Sequence, residues 1–271
     1  MRELKPNPIV AAWQSGRPAV SAWSVIPGKV ASEVLALLDF DAVAVDMQHS
    51  MFDRDDIATT VTAIQAAGSA AIVRIPWNDD PGLVMGLVDF GLAAIICPCV
   101  SSAEECARFV QACRYPPLGI RNHSFPRASG YRRNAATYFD TVRERELVGV
   151  MVETVAGLDC LDEIAATPGL DVIQLGPGDL TLSRFGFSQP AAEVAEFLDA
   201  AHRRTIEVAR SRGIRAAANA PNPARARQLI ALGYDLIFLG CDLFDMQDHY
   251  RGALTELGDV LGRGANAAVS A

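Results

Sequence analysis

The chain has 271 residues, half of them hydrophobic, and carries a formal net charge of −8. It is long enough for one large α/β core, and its negative charge argues against nucleic acid or an anionic membrane as the main partner. No apolar run reaches the ~18 residues of a membrane span and no signal-peptide pattern is present, so we expect a cytoplasmic protein that acts on a small molecule.

Short apolar segments alternate with segments of helical periodicity along the whole chain. The predicted strands are 19–26, 42–47, 70–75, 93–99, 148–153, 171–175, 214–219 and 236–241. The predicted helices are 31–40, 55–67, 81–90, 102–114, 157–166, 191–212, 223–232 and 244–262. Eight such units predict an α/β fold, a parallel (β/α)8 TIM barrel that forms a single domain over residues 1–271.

A doubly wound open sheet is the alternative fold. It normally has a glycine-rich turn after the first strand, where this chain has only Gly28. Two long intervals interrupt the alternation: an insertion at about 115–147 and the span after the sixth strand. Because barrel enzymes carry their chemistry on loops that follow strands, we expect these intervals to form substrate walls or subunit contacts.

The six cysteines show no paired C-x-x-C spacing, which argues against disulfides and zinc. We interpret them as core thiols in a reducing compartment. Cys97 and Cys99 would then share one face of the fourth strand.

Charged side chains lie at the ends of several predicted strands. Asp46 and His49 end or follow the second strand, Arg74 lies near the end of the third, and Glu153 and Asp179 end or follow the fifth and sixth. Since the carboxyl ends of barrel strands meet at one face, these side chains are expected to form a reaction centre.

Glu153 and Asp179 each close a hydrophobic stretch. Two carboxylates presented from buried strands supply about half of the coordination shell of a hard divalent cation, and leave positions for water and substrate. The structural alternative is that each residue caps the next helix.

The other three residues also have two interpretations. Among the four histidines, His49 is the one at a strand end, which indicates proton transfer, although a loop histidine fits as well. Asp46 is placed to orient the imidazole or to cap a turn. Arg74 lies inside an apolar strand, where an arginine requires an anion or a carboxylate as partner.

Five ordered motifs resemble those of a known family. They are VDMQH (45–49), VRIPWND (73–79), RYPPLGIR (114–121), VET (152–154) and GPGDL (176–180). Together they resemble the HpcH/HpaI aldolases, metal-dependent class II pyruvate aldolases of the phosphoenolpyruvate/pyruvate barrel superfamily. This group includes the 2,4-dihydroxyhept-2-ene-1,7-dioate and 2-dehydro-3-deoxyglucarate aldolases. The resemblance covers nearly the whole chain.

The resemblance implies a cofactor and a way of binding the substrate. Glu153 and Asp179 would bind Mg²⁺ or Mn²⁺, with Co²⁺ as a further candidate, and pyruvate would chelate the ion through its carboxylate and keto oxygens. The amides of Gly178 and Asp179 would receive the pyruvate carboxylate. Trp23, at the end of the first strand, would pack near the pyruvate methyl group.

The resemblance also implies catalytic roles. Arg74 would hold the keto oxygen as it becomes an enolate, and His49, oriented by Asp46, would move protons directly or through a water molecule.

Two regions depart from the family pattern. Gln48 occupies a position where many members carry Glu beside metal-bound water. The segment 122–127 replaces a stretch that is usually small and rich in Gly and Ala. We expect Arg121, His123 and Arg127 to be available there to a carboxylate or to hydroxyl groups of the substrate.

The expected reaction follows from these residues. A lysine Schiff base is disfavoured, because the chain contains only Lys5 and Lys29. Lys5 precedes the first strand, and Lys29 is predicted to lie in a loop without the apolar setting that would lower the pKa of its amine. The loops after strands seven and eight lack a glycine-rich phosphate-binding pattern. We therefore expect reversible retro-aldol cleavage of an unphosphorylated 4-hydroxy-2-oxo acid to pyruvate and an aldehyde, through a metal-stabilised enolate.

Other functions remain open at this stage. Oxaloacetate decarboxylation, or another enolate-forming carbon–carbon lyase reaction, would use the same site. A metal-dependent hydrolase usually has a His-x-His motif on the first strand, which this chain lacks, and a non-catalytic binding protein would not need the site residues. The resemblance further implies a homo-oligomer, a hexamer or trimer of dimers, with the C-terminal helix at about 244–262 exchanged between subunits.

Overall fold

A computed structural model describes residues 6–258, 260 and 261 of the chain. In this part of the chain eight parallel strands close into a barrel in sequential order, which confirms the predicted TIM barrel. The strands are β1 (Ala19–Ser24), β2 (Ala42–Asp46), β3 (Ala71–Arg74), β4 (Ala94–Cys97), β5 (Leu147–Val152), β6 (Val172–Leu175), β7 (Arg215–Ala220) and β8 (Leu236–Leu239). The helices are α1 (Pro8–Gln14), α2 (Lys29–Ala36), α3 (Arg54–Ala66), α4 (Pro81–Val88), α5 (Ala103–Cys113), α6 (Ala135–Arg145), α7 (Val155–Asp159), α8 (Leu161–Ala165), α9 (Pro177–Phe185), α10 (Ala191–Ser211), α11 (Pro223–Leu232) and α12 (Asp242–Glu256).

The inside of the barrel is filled by alanine side chains together with larger apolar ones. Successive residues of a strand point to opposite faces, so alternate residues face the barrel axis. The buried interior cluster includes Ala19, Ala42, Ala44, Ala94 and Ala217. The outward faces of the strands pack against the helices in a larger apolar cluster. We call the carboxyl end of this barrel the mouth.

Helix α1, which the strand pattern does not predict, closes the amino end of the barrel. Its Ile9 and Ala12 belong to the interior cluster. Asn7 caps the helix, because its Oδ1 accepts the Ile9 N–H at 2.9 Å. The Asn7 Nδ2 donates to the carbonyls of Ala93 and Arg145, at 2.8 and 2.9 Å. The amino end is thereby sealed, and a substrate must enter through the mouth.

The insertion at 115–147 lies at the closed end, which corrects the expectation that it forms a wall of the substrate site. It follows α5 and leads into β5, and such helix-to-strand connections lie opposite the mouth of a barrel. Arg114 donates to the carbonyls of Glu146, just before β5, and of Gly169, before β6. Arg121 donates to the Glu146 carboxylate at 2.7 Å. Within the described chain, the insertion therefore braces the closed end.

Several helices differ from the prediction. Helix α6 lies within the insertion, and α9 begins inside the GPGDL motif. The predicted helix 157–166 divides at Cys160 into α7 and α8. The predicted C-terminal helix 244–262 is observed as α12, and residue 259 and those from 262 onward lie outside the described residues. None of the described helices has the length and apolar character needed to cross a membrane.

Candidate active site

Asp46 and Arg74 form a buried ion pair at the mouth. They are register partners at the ends of β2 and β3. The Arg74 guanidinium donates through Nε to Asp46 Oδ1 at 2.8 Å and through Nη2 to Oδ2. Asp46 is 1% exposed and Arg74 is 7% exposed, so water does not compete for these bonds. The bidentate geometry fixes the plane of the guanidinium, and Asp46 is the carboxylate that Arg74 requires.

The third guanidinium nitrogen of Arg74 is held only weakly. Among the described residues, Nη1 contacts the sulfur of Met151 at 3.6 Å, and a thioether is a weak acceptor. Trp23 lies against the guanidinium, with Cζ 4.8 Å from the ring centroid, and packs edge-on against Phe238. Nη1 therefore keeps donor capacity on the side of β5, the strand that leads to Glu153.

Glu153 is buried at the end of β5, and Gly176 makes room for it. Its Oε1 accepts the Cys99 N–H at 2.7 Å. A Cβ at position 176 would overlap the Glu153 side chain, so only glycine fits here. Burial raises the pKa of the Glu153 carboxyl, and the charge of Asp179 adds to this effect, while Cys99 and Arg74 favour the carboxylate. A buried carboxylate beside a second anion gains stability from a bound cation.

Asp179 is exposed in the first turn of α9. This helix has Gly176 as its N-cap, with no side-chain cap, and Pro177 at its first position. The amides of Gly178 and Asp179 are therefore orphan donors of the helix N-terminus, which favours anions. The arrangement suits the carboxylate of a 2-oxo acid.

The two acids fit a divalent cation that shares its coordination with water and substrate. In the part of the chain that the structure describes, no three His, Cys, Asp or Glu side chains form a group that could hold a metal ion. A cation would therefore bind Glu153 and Asp179 and take its other ligands from outside the protein. The absence of a side chain at Gly176 lets the Glu153 carboxylate take up this position.

Gln48 and His49 follow Asp46 in a turn. The Gln48 N–H donates to Asp46 Oδ1 at 2.9 Å, and the Ser50 hydroxyl donates to the Asp46 carbonyl. The hydrogen bonds of the Asp46 carboxylate go to Arg74 and to this turn, not to the His49 imidazole. The expected orienting role is thus corrected, because Asp46 positions His49 only through the backbone. His49 is exposed beyond the end of β2.

Cys99 belongs to this site, although the sequence interpretation assigned it to the core. It lies beyond β4 in the left-handed conformation, with φ 55°, and its Sγ accepts the Gln48 Nε2–H at 3.7 Å. Burial, together with the charge of Glu153, raises the pKa of the Cys99 thiol to about 12. The thiol is therefore protonated near neutral pH and is not an activated nucleophile. Its position at the end of a predicted strand was the signal that could have identified it.

The sequence interpretation also missed two amide side chains at the mouth. Gln174 on β6 donates through Nε2 to Asn219 Oδ1 on β7. A polar residue inside an apolar strand was the criterion that singled out Arg74, and the same criterion identifies Gln174.

Arg121 and His123 lie away from this cluster. Arg121 is 2% exposed and donates to the carboxylates of Glu146 and Asp89, at 2.7 and 2.8 Å, at the closed end. His123 stacks on Phe139 of α6, with ring centroids 4.8 Å apart. The expected role of Arg121 and His123 as substrate ligands is therefore corrected for the site of their own chain. Arg121 forms ion pairs that hold the insertion in place, and His123 packs on a helix of the insertion.

Residues 27–248 match the family model described as HpcH/HpaI aldolase/citrate lyase. A hydroxypyruvate/pyruvate aldolase from Rhizorhabdus wittichii is 35% identical over 238 residues, which are 88% of this chain and 93% of that protein. A 5-keto-4-deoxy-D-glucarate aldolase from Citrobacter koseri is 30% identical over 264 residues, 95% of this chain and 97% of that protein. A solved HpcH/HpaI aldolase/citrate lyase family protein from Burkholderia cenocepacia J2315 has a TM-score of 0.79 and 31% identity, with 89% of this chain and 94% of that chain covered. The chain therefore belongs to the HpcH/HpaI aldolase/citrate lyase family and is a pyruvate aldolase-type carbon–carbon lyase.

Proposed function

We propose that this enzyme catalyses the reversible retro-aldol cleavage of an unphosphorylated 4-hydroxy-2-oxo acid to pyruvate and an aldehyde, with a divalent cation as cofactor. The main support is the buried Glu153 carboxylate, which feels the charges of Asp179, in the first turn of α9, and of Arg74, which has one weakly held nitrogen. Glu153 and Asp179 would hold Mg²⁺, Mn²⁺ or Co²⁺. When bound, such an ion supplies a Lewis acid that polarises the oxygens of the 2-oxo acid.

The groups of the protein bind the substrate and stabilise its charge. The amides of Gly178 and Asp179 receive the substrate carboxylate. Breaking the C3–C4 bond leaves negative charge that spreads to the keto oxygen, and Arg74 donates from Nη1 to that oxygen. Asp46 holds the guanidinium in place beforehand, so little reorganisation is needed during the reaction. Trp23 packs against the methyl end of the pyruvate.

Proton transfer is assigned to His49. Cleavage removes the proton of the 4-hydroxyl group, and C3 of the enolate must gain a proton to become the methyl group of pyruvate. An imidazole at the mouth accepts and donates such protons directly or through a water molecule.

The loops after β7 and β8 support a substrate without phosphate. Asn222 already caps α11 by accepting the Arg225 N–H at 2.9 Å. The Asp242 carboxylate accepts hydrogen bonds from the Ser24 hydroxyl and the Val25 N–H, both at 2.8 Å. The backbone donors that phosphate would need are partly occupied, and the acid would repel it.

The test is pyruvate release from a panel of 4-hydroxy-2-oxo acids by metal-free protein, before and after addition of Mg²⁺, Mn²⁺ or Co²⁺. We expect activity only with the ion, and a loss of about 10² or more in turnover for Glu153→Gln. Glu163→Gln, which changes an exposed carboxylate on α8, serves as the matched control and is expected to behave as wild type. Calorimetric titration with Mn²⁺ measures ion binding independently of turnover, and Glu153→Gln is expected to weaken it.

Metal-loaded wild type that neither cleaves these acids nor condenses pyruvate with aldehydes would contradict the proposal. Rapid turnover of oxaloacetate without aldol cleavage would instead favour decarboxylation at the same site.

A further inference from the structure

Gln174 and Asn219 form an amide pair in the upper interior of the barrel, to which the mechanism above gives no role. Gln174 is 0% exposed, and Asn219 near the end of β7 is half-buried. The Gln174 Nε2 donates to Asn219 Oδ1. The neighbouring interior side chains, among them Met151, Ala217 and Phe238, are apolar. The amide pair therefore lies among apolar side chains of the barrel interior.

Among the described residues, the pair leaves one acceptor and one donor group without a partner. Gln174 Oε1 is buried and has no hydrogen-bond partner among the described residues. Buried amide oxygens are rarely unpaired, because losing water without gaining a new hydrogen bond is unfavourable. Since Asn219 Oδ1 faces Gln174, the Asn219 Nδ2 group points away from it. A hydroxyl group both donates and accepts hydrogen bonds, so it can pair with the free acceptor Gln174 Oε1 and the free donor Asn219 Nδ2.

The amide pair borders the same space as Arg74. Asn219 is the register partner of Phe238, whose ring lies 5.0 Å from that of Trp23 beneath Arg74. Gln174 is the register partner of Met151, whose sulfur contacts Arg74 Nη1. A substrate whose keto oxygen lies at Arg74 therefore has the amide pair along the adjoining wall of the mouth.

A purely structural role explains this pair less well. Two leucine side chains of similar volume would fill the layer and leave no buried oxygen without a partner.

We propose that Asn219, positioned by Gln174, hydrogen-bonds a hydroxyl group of the substrate and makes the enzyme selective for hydroxylated substrates. This inference rests on the function proposed above. The hydroxyl group belongs either to C3 of the 2-oxo acid, as in hydroxypyruvate, or to the aldehyde, as in glycolaldehyde. Asn219 is the contact residue and Gln174 is the positioning residue.

The experiment compares wild type with the double variant Gln174→Leu/Asn219→Leu, which replaces both amides by apolar groups. One arm measures kcat/KM for hydroxypyruvate relative to pyruvate, each condensed with propanal. The other arm measures kcat/KM for glycolaldehyde relative to acetaldehyde, each with pyruvate. We expect one of the two ratios to fall about tenfold, as the loss of a hydrogen bond predicts, and the arm that changes identifies the hydroxyl group.

Two further variants separate selectivity from a general defect. Gln174→Leu alone is expected to lower the same ratio by a smaller factor, because Asn219 then loses its orientation. Gln228→Leu removes an exposed amide on α11 and is expected to keep both ratios. Equal losses on all substrates, or two unchanged ratios, would overturn the inference.

Exchange of the pyruvate methyl protons with D2O, followed by NMR, needs no hydroxyl group and distinguishes the two proposals. We expect exchange in metal-loaded wild type and in the Gln228→Leu control. No exchange in wild type would overturn the proposed function together with this inference, whereas normal exchange with unchanged ratios would overturn the inference alone.

Discussion

Gly176 determines where the Glu153 carboxylate can lie. The two residues meet because β5 and β6 are neighbours in the barrel, and the space of the missing side chain borders the acid. The GPGDL motif includes Gly176, but the sequence alone does not show why a glycine is needed there. The reason is the contact with Glu153 on the neighbouring strand.

Gly176→Ala is expected to displace the Glu153 side chain. The predicted result is a loss of about 10² or more in metal-dependent turnover, together with a cost of about 1–3 kcal/mol in unfolding free energy from overpacking. Turnover assays and urea denaturation measure the two effects. Gly252→Ala on α12, where an added Cβ meets no atom within 4 Å, is the control and is expected to keep or slightly raise stability. Wild-type turnover in Gly176→Ala would contradict the role of the glycine.

The Asp46–Arg74 pair shows how far reasoning from single residues extends. The apolar surroundings of Arg74 predict a carboxylate partner, and Asp46 is predicted at the same face. The sequence does not reveal that they pair, because this depends on the register of β2 against β3.

Asp46→Asn is expected to leave the buried Arg74 charge without compensation. Removing one partner of a buried pair typically costs about 3–5 kcal/mol, so the free energy of unfolding in urea is expected to fall by about this amount. Glu104→Gln breaks the exposed pair with Arg108 and is the control, with an expected change below about 1 kcal/mol. Similar changes in the two variants would be inconsistent with a buried, mutually dependent pair.

At the scale of elements, the strands are easier to predict than the short helices. The buried strands are continuous apolar runs, whereas α6 lies in an insertion and buries only Tyr138. Helix α9 begins with Pro177 and Gly178, which resemble a loop, although proline is favoured at the first helical position. The carboxylate binding proposed for the GPGDL motif depends on this helix, so the proposed function rests on an element that the sequence pattern did not predict.

His202 joins α10 to its neighbours inside the protein. Its Nδ1 lies 2.7 Å from the Tyr234 hydroxyl and its Nε2 lies 3.1 Å from the Arg225 guanidinium. Because a guanidinium only donates, Nε2 must be the acceptor, and the imidazole is neutral with its proton on Nδ1. Burial, with a contribution from the Arg225 charge, lowers the pKa of His202 from 6.5 to about 4.

This pKa predicts a specific loss of stability in acid. His202 is harder to protonate in the folded protein than in the unfolded chain. Its contribution to the free energy of unfolding is therefore complete above pH 6.5 and is lost as the pH falls from 6.5 to about 4. The loss amounts to about 3 kcal/mol. Urea denaturation at several pH values between 7 and 4.5 measures this loss. In His202→Gln, the free energy of unfolding is expected to change less with pH over this range. His249→Gln on exposed α12 is expected to leave the curve unchanged, and an equal slope in all three proteins would exclude the effect.

At the scale of the whole molecule, the repeated strand–helix alternation was enough to predict the barrel, but not which surfaces lie against other molecules. Helix α12 buries none of its described side chains. Exposed apolar residues on or just after α12 and α2 include Leu254, Leu257, Val34 and Leu37, and both helices flank β1. Because exposed apolar surface of this kind commonly marks an interface, we expect a second copy of the chain to cover it.

Leu254→Glu is expected to weaken this association, because it places a charge within an apolar contact. Sedimentation velocity is expected to show an oligomeric wild type and a smaller species for the variant. Leu232→Glu, on α11, alters an exposed leucine elsewhere and is expected to sediment as wild type does. A monomeric wild type would contradict the expectation.

The arginine network of the insertion and the groups at the mouth lie at opposite ends of the barrel. Substitutions at mouth positions other than the Asp46–Arg74 pair and Gly176 therefore leave the arginine network at the closed end in place. A mutant library confined to positions such as 99, 174 and 219 is expected to yield mostly folded proteins with altered donor or acceptor preferences, which makes the chain a suitable starting point for directed evolution.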